Sequence, residues 1–384
     1  MGLHGSGALR LLLGRIVAAA EPPSRAALAA STGLARATVS VAVDQLVAGG
    51  LVAELAPVLT RRAGRPAVPL VPAAGTVAGV GLEVDGAYTG VRVVDLTGEV
   101  LAEAVDYGDQ RGADPVVVVD RLVALLDPVL TALADQEVRV CGATVAVPGL
   151  VGTDGQVRLA ADLGWHDVDL PTLLRTDPAL ARLDPVVDNA ADLAAAAELR
   201  VRPDDSFVYV CGETSLGGAV VVHRELLAGQ RGWAGALGHL VVDPTAHSHE
   251  GTLDALAGPD ALLRAAGIDP TARAPALVAA LEADDLKARA AVVRAGQALG
   301  LALASVVNLT DVPTVVLGGA YWSLADRLAP HVLTELRRRV VFAPWTEFTV
   351  DQAAAGDLPS LTGAAWASLG RVLDDPAAFC AARD

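Results

Sequence analysis

Residues 24–52, SRAALAASTGLARATVSVAVDQLVAGGLV, hold two apolar-striped runs divided by a glycine. Ser24 follows Pro22-Pro23 and stands where an N-cap is wanted, so Arg25–Thr32 reads as a short helix. Gly33 supplies the turn. In the second run, from about Ala35 to Ala48, Val39, Val43, Leu46 and Val47 fall at i, i+4, i+7 and i+8 and form one buried stripe. Gly49-Gly50 ends it. Arg36, Ala37, Ser40, Val41 and Asp44 lie on the other side. A short helix, a glycine turn and a second helix with a polar N-terminal half make the helix-turn-helix pattern. Its weak point is Ala35: a Ser or Thr there would cap the second helix, and the lack of one removes about 1 kcal/mol of local support.

Working outward, Ala8–Ala20 reads as an amphipathic helix that stops before Pro22. On the other side, Ala53–Leu55 and Ala67–Leu70 read as extended pieces flanking Pro57–Pro66, which carries Arg61, Arg62 and Arg65. That is a winged hairpin with a basic tip, and arginine is suited to the negative potential of a minor groove. The candidate contacts to double-stranded DNA are Ser24, Arg25, Arg36, Thr38, Ser40, Arg61, Arg62 and Arg65. A plain three-helix bundle with a solvated arginine loop is the alternative.

The charge is divided. The chain has 384 residues and a net charge of −16, which argues against nucleic acid for the whole. Residues 1–70, however, hold seven arginines against Glu21, Asp44 and Glu54, a balance of +4, leaving −20 for the rest. A basic head on an acidic body predicts two jobs: a head over 1–70, a proline-stiffened linker over 71–75 and a body over 76–384. Hydrophobic residues make up 53%, enough for a large core and too many for wholesale disorder. Cys141, Cys211 and Cys380 are far apart, so no disulfide framework or cysteine zinc cluster is expected. No uncharged apolar run of about 18 residues is present, so no membrane partner is expected, and the expected location is the cytoplasm.

In the body, Val77–Val84, Tyr88–Val94 and Val100–Val105 alternate like strands, with Gly86 and Thr97-Gly98 at the turns. A helix over about Asp114–Ala134 and a buried strand, Val138–Val147, follow. The order repeats in Phe207–Cys211, Ala219–His223, a long helix over Lys287–Asn308 and the strand Pro313–Leu317. Two sheet-plus-helix halves predict an α/β body with a cleft between them.

These features together resemble the ROK family of repressors, open reading frames and sugar kinases. The matching residues are Ser24–Leu34, Ala37–Val52 and Gly64-Arg65-Pro66 in the head. In the body they are Val94–Gly98, Val145–Gly149, Leu163-Gly164-Trp165, Gly235, Gly238-His239 and Asn308…Pro313…Gly318-Gly319. The resemblance implies an α/β chain: an N-terminal winged helix-turn-helix, then a two-lobed, actin-like, sugar-kinase-like (ribonuclease H-like) ATPase fold. One lobe is expected over about 76–188 plus the C-terminal end, the other over about 189–365. The fused head is the layout of the family's transcriptional repressors.

The chain departs from the family's kinases at several points. Where they carry Asp-x-Gly-Gly-Thr for ATP phosphates, this chain reads Glu83-Val84-Asp85-Gly86-Ala87. A carboxylate at Asp85 and a missing hydroxyl at Ala87 both oppose phosphate. The second glycine-rich turn, Glu213–Ala219, is also altered. The family's catalytic aspartate follows an asparagine; here Ala190 follows Asn189. Losing a general base typically costs about 10²–10⁴ in rate. Asp188 or Asp192 could substitute, or Asp188 or Asn189 could simply cap the helix Ala190–Arg200. Asn189, Gly235, His239 and Asp254 are left to hold a polar ligand, a sugar or another small effector. The family's zinc-binding cysteines are absent, so no metal or other cofactor is expected; His239, His247 and His249 are the one set that could still hold a metal. The expected function is a DNA-binding regulator, a repressor and not an enzyme, acting on a palindromic operator as a homodimer or tetramer. A sugar kinase with an accessory head and a ligand-independent dimerisation scaffold are the other classes.

Overall fold

The computed structural model describes residues 4–56 and 68–381. Three helices open it: α1 (His4–Val17), α2 (Arg25–Thr32) and α3 (Arg36–Ala48). Ser24 caps α2, its Oγ accepting from the Ala27 N–H at 3.2 Å, and Gly33 ends it with a left-handed φ of 72°. Ala35 gives α3 no side-chain cap. The inner face of α3 buries Val39, Ala42, Val43 and Leu46 against Leu12, Leu13, Ile16 and Leu28; Val47 is only half-buried. Strands β1 (Val52–Glu54) and β2 (Leu70–Pro72) then pair antiparallel. Arg61, Arg62 and Arg65, at the expected hairpin tip, lie outside the described residues.

The stretch expected as a spacer is fixed in place. β2 reaches Pro72, and Ala73 N–H donates to Leu51 O at 3.0 Å. Thr76 Oγ1 donates to Gly50 O at 2.6 Å, and Gly75 N–H donates to the buried Asp95 Oδ2 at 2.8 Å. These bonds hold the linker to the head at Leu51 and Gly50 and to the body at Asp95.

The first lobe is a five-stranded sheet. β3 (Val77–Val84), β4 (Tyr88–Asp95) and β5 (Val100–Tyr107) form an antiparallel meander, as the alternation predicts. Helix α4 (Pro115–Asp135) leads to β6 (Arg139–Val147), parallel to β3. A three-stranded flap, β7 (Leu150–Val151), β8 (Val157–Ala160) and β9 (Trp165–Val168), and helices α5 (Leu170–Leu174) and α6 (Pro178–Arg182) precede β10 (Val186–Asn189). β10 completes the sheet order β10-β6-β3-β4-β5.

After helix α7 (Ala190–Val201) the pattern recurs. β11 (Phe207–Cys211), β12 (Gly217–Val222) and β13 (Glu225–Leu226) are antiparallel. Helices α8 (Leu253–Ala257), α9 (Pro259–Ala266), α10 (Arg273–Glu282) and α11 (Leu286–Thr310) form a layer before β14 (Thr314–Leu317). Helix α12 (Ala325–Arg339) and β15 (Thr349–Gln352) close the second sheet, β13-β12-β11-β14-β15, with β14 parallel to both neighbours. Reversed, this is the first sheet's order, so the repeat legible in the sequence is a repeat of topology. α11 is long and apolar enough to cross a membrane, yet 67% of its apolar window is buried inside this lobe.

The last helices, α13 (Pro359–Asp374) and α14 (Pro376–Ala381), return the chain to the first lobe. The return comes at Pro359, ahead of the expected position 365. α13 lies on β3 so closely that a Cβ at Gly79 or Gly81 would sit 2.2 Å from the carbonyls of Ala365 or Leu361. Only glycine permits that approach. The far end of α13 and α14 join the head: Leu369 and Val372 belong to the same apolar cluster as Leu12 and Val43. Arg139 completes the joint, donating to Gly49 O at 2.6 Å and to Phe379 O at 2.9 Å.

Candidate functional site

Between the lobes lies a cleft. The β3–β4 turn, the β10–α7 junction, the β11–β12 turn, residues 232–239 and the start of α13 all reach it. The two equivalent turns of the repeat face each other there. A Cβ at Gly86 would lie 2.8 Å from Thr214 Oγ1, and Asp85 and Glu213 are near enough to act on each other electrostatically.

The residues expected to hold a ligand fare differently. Asn189, Gly235 and His239 line the cleft, His239 with an exposed side chain. Asn189 is occupied by the backbone. Its Oδ1 accepts from the N–H groups of Ala191 at 2.8 Å and Asp192 at 3.1 Å, and its Nδ2 donates to Gly149 O at 2.6 Å. It caps α7, the other reading its position allows. Asp254 does not reach the cleft: its Oδ1 accepts from Leu216 N–H at 2.6 Å, pinning the β11–β12 turn.

Ala190 lines the cleft where the kinase resemblance wants a carboxylate. Asp188 and Asp192, the possible substitutes, are not among the lining residues. Burial first, and then Asp188, pushes the Asp192 carboxyl up to about 7. His247 and His249 are exposed beside the short turn Ser248–Gly251, and no three His, Cys, Asp or Glu side chains among the described residues converge as metal ligands.

Sequence reasoning singled out Asp85 but missed the acidic cluster around it. Glu83, Asp85, Asp162 and Glu213 line the cleft, and no lysine or arginine is among the described lining residues. Glu83 is 3% exposed, and its Oε2 has no hydrogen-bond partner. Burial pushes its carboxyl up to about 7, with a further rise from Glu213, while hydrogen bonds from Tyr88 and Ser360 and the charge of Arg92 oppose the shift. Burial, then Glu213 and Glu83, raises Asp85 well above the usual carboxylate range. Burial raises Glu213 against the pull of Arg273, 3.5 Å away. The readable signal was a carboxylate gained in each of two equivalent glycine-rich turns.

The head divides its candidate residues in two. Arg25 is a brace: its guanidinium lies 2.7 Å from Asp44 Oδ1 and 2.7 Å from Glu54 Oε1, and donates to Ser40 O at 3.1 Å and Ser40 Oγ at 3.2 Å. Arg25 thus ties α2 to α3 and β1, and Ser24 is the cap of α2, so neither has the free outward side chain expected of a DNA contact. Arg36 and Thr38 are exposed on α3, with Val41 (60% exposed) and Gln45 continuing the same outer face.

Comparison with known proteins now bears on the chain. The family model described as "ROK family" matches residues 79–370. The chain belongs to the ROK family. It is 26% identical over 226 residues to the xylose repressor of Bacillus subtilis (strain 168), a match spanning 58% of this chain and 57% of that repressor. The chain therefore covers less than two thirds of that relative. A solved ROK family transcriptional regulator, a homolog of the E. coli MLC protein, superposes with a TM-score of 0.74 at 23% identity, covering 96% of this chain and 98% of that one. A ROK family glucokinase from Streptomyces griseus, with glucose and AMPPNP, gives a TM-score of 0.63 at 22% identity over 76% of this chain and 98% of that one. The mixed α/β, sugar-kinase-like fold is thereby shared with regulators and kinases alike.

Proposed function

We propose that this chain is a sequence-specific DNA-binding transcriptional regulator, a repressor. Its winged helix-turn-helix head would span residues 1–70, and its body, 76–384, would bind a small effector in the cleft. The observation that carries the reading is the head itself. α3 buries one face completely and turns Arg36, Thr38, Val41 and Gln45 outward, the arrangement a helix needs to enter a major groove. Similarity to xylose repressors and to a solved ROK regulator supports it. Arg61, Arg62 and Arg65 are assigned to the backbone or minor groove beside it.

A palindromic operator needs a two-fold protein. Leu309, Val341 and Trp345 are 85%, 78% and 82% exposed. Asn308 holds the first two together, donating to Arg339 O at 3.2 Å and accepting from Val341 N–H at 3.0 Å. We assign this apolar patch to the homodimer. α13 supplies the route from effector to head. Its first turn lines the cleft through Pro359 and Ser360, its last turn packs under the head, and its 16 residues span about 24 Å. An effector that binds two settings of α13 unequally would shift the heads. The kinase reading is opposed by Ala190 and by carboxylates at both turns where phosphate would approach. The chain is assigned to the cytoplasm.

Selection of random duplex DNA by the full chain tests the proposal. Enrichment of a two-fold symmetric site is the expected result; no enrichment by the full chain or by the head alone overturns it.

A further inference from the structure

We propose that the effector of this cleft is a small amino alcohol, whose ammonium group is received by the buried Glu83 carboxylate within the acidic lining that Asp85 and Glu213 complete. This inference rests on the cleft being an effector site. Three observations carry it. The described lining residues include four carboxylates and neither lysine nor arginine. Among them Glu83, which lines the cleft, has a buried Oε2 without a hydrogen-bond partner. Such an atom is costly to leave unmatched, and a donor from a ligand resolves it. Across the cleft, Trp233 Nε1 is a buried donor with no acceptor. A ligand with an ammonium at one end and a hydroxyl at the other satisfies both.

The other ligand classes fit worse. An anion would meet Glu83, Asp85 and Glu213 with no opposing arginine lining the cleft. Arg92 is turned to Glu103 and Thr362, and Arg273 to Glu213 and the Tyr107 ring, 4.3 Å away. A metal ion needs ligands converging on one point, and no such group of three exists among the described residues. A neutral polyol could bond one carboxylate but would leave their mutual repulsion in place. An ammonium offers three donors and a compensating charge.

The groups facing this site also set its pH dependence. Glu83 is faced by Tyr88 and Arg92 from β4, Ser360 from α13 and Glu213 from the β11–β12 turn. Asp85 is faced by Glu83, Glu213 and Asp162. Burial raises Glu83, Asp85 and Glu213, so protons compete with the ammonium at pH 6 and less so at pH 8. An alkylamine stays charged throughout, its pKa being near the ~10 of lysine.

The test is titration calorimetry on the full chain with matched pairs: 1-amino-1-deoxysorbitol against sorbitol, and 4-aminobutanol against 1,4-butanediol, with inorganic pyrophosphate as the anion. The expected result is tighter binding of the amine than of its neutral partner at pH 8, by about tenfold or more, shrinking at pH 6. Glu83→Gln and Glu213→Gln should each abolish most of that preference. No preference for the amine in either pair, or binding of pyrophosphate in its place, overturns the inference. Operator selection with the same preparation separates the two proposals. An enriched DNA site without amine preference defeats only the ligand class; amine preference without any DNA site defeats only the regulator.

Discussion

Arg25 and Asp44 lie 2.7 Å apart, joining the first turn of α2 to the middle of α3. With Glu54 on β1 as a second partner, this arginine fixes the angle at which α3 projects. Arg36, at the start of α3, has an exposed side chain. Two arginines of one head thus carry separable roles. Arg25→Ala should lower the thermal stability of the head by about 1 kcal/mol, since its partners are largely solvated. Arg36→Ala should leave the melting temperature unchanged and weaken operator binding by about 1–3 kcal/mol, read in a fluorescence anisotropy titration at fixed salt. A loss of operator affinity in Arg25→Ala with no loss of stability would reverse the assignment.

Ala190→Asp should not create a sugar kinase. The new carboxylate would stand beside Asn189, but Asp85 and Glu213 would still line the cleft where a nucleotide's phosphates must come. A coupled ADP-release assay with ATP and glucose reads the outcome. Turnover by that single variant would show that the carboxylates do not exclude phosphate.

Glu83 predicts a pH dependence of stability with a definite sign. Its folded-state value, about 7, exceeds the ordinary 4.5, so the folded chain binds the proton more tightly than the unfolded one. That stabilisation is complete below about 4.5 and is lost as pH rises through about 7. Glu83→Gln should therefore melt higher than the parent at pH 8, by on the order of 2 kcal/mol, and differ little at pH 4.5. Differential scanning calorimetry across that range checks it.

Arg139→Ala should loosen the joint between head and tail. The substitution frees the carbonyls of Gly49 and Phe379, each accepting from the guanidinium at 3.0 Å or less. A cost of about 1–3 kcal/mol is expected, with hydrogen-exchange protection lost first over Pro376–Ala381. Unchanged exchange there would mean that the apolar cluster alone holds the tail.

Much of the architecture was legible because period and punctuation agreed. Ser24, Gly33 and Gly49 bounded the head's helices, and turn residues marked off the meander from Val77 to Tyr107, in which β3 and β4 are buried along their whole length and, of the three strands, only β5 carries exposed residues. The short β10 and β15 were not legible: four residues carry no period, and tertiary pairing decides them. The candidate site was half legible. Motif spacing brought Asn189, Gly235 and His239 to the cleft, but a sequence does not say whether a side chain's atoms are already engaged. Asn189, Asp254 and Arg25 all satisfy nearby groups, and only geometry reveals that. Glu83 was hidden for the opposite reason, because its importance lies in a buried oxygen left without a hydrogen-bond partner.

α13 also governs how the molecule comes into being. It is made after both sheets, yet it covers the strand that begins the first one and forms part of the floor on which the head rests. During synthesis, α1 to α3 must wait beside an unfinished support until Pro359–Ala381 emerge. A chain cut before Pro359 would carry a head with all its own helices but without the apolar floor that α13 and α14 supply. On the proposed reading, translation that stops early should release heads that bind DNA without answering to the cleft.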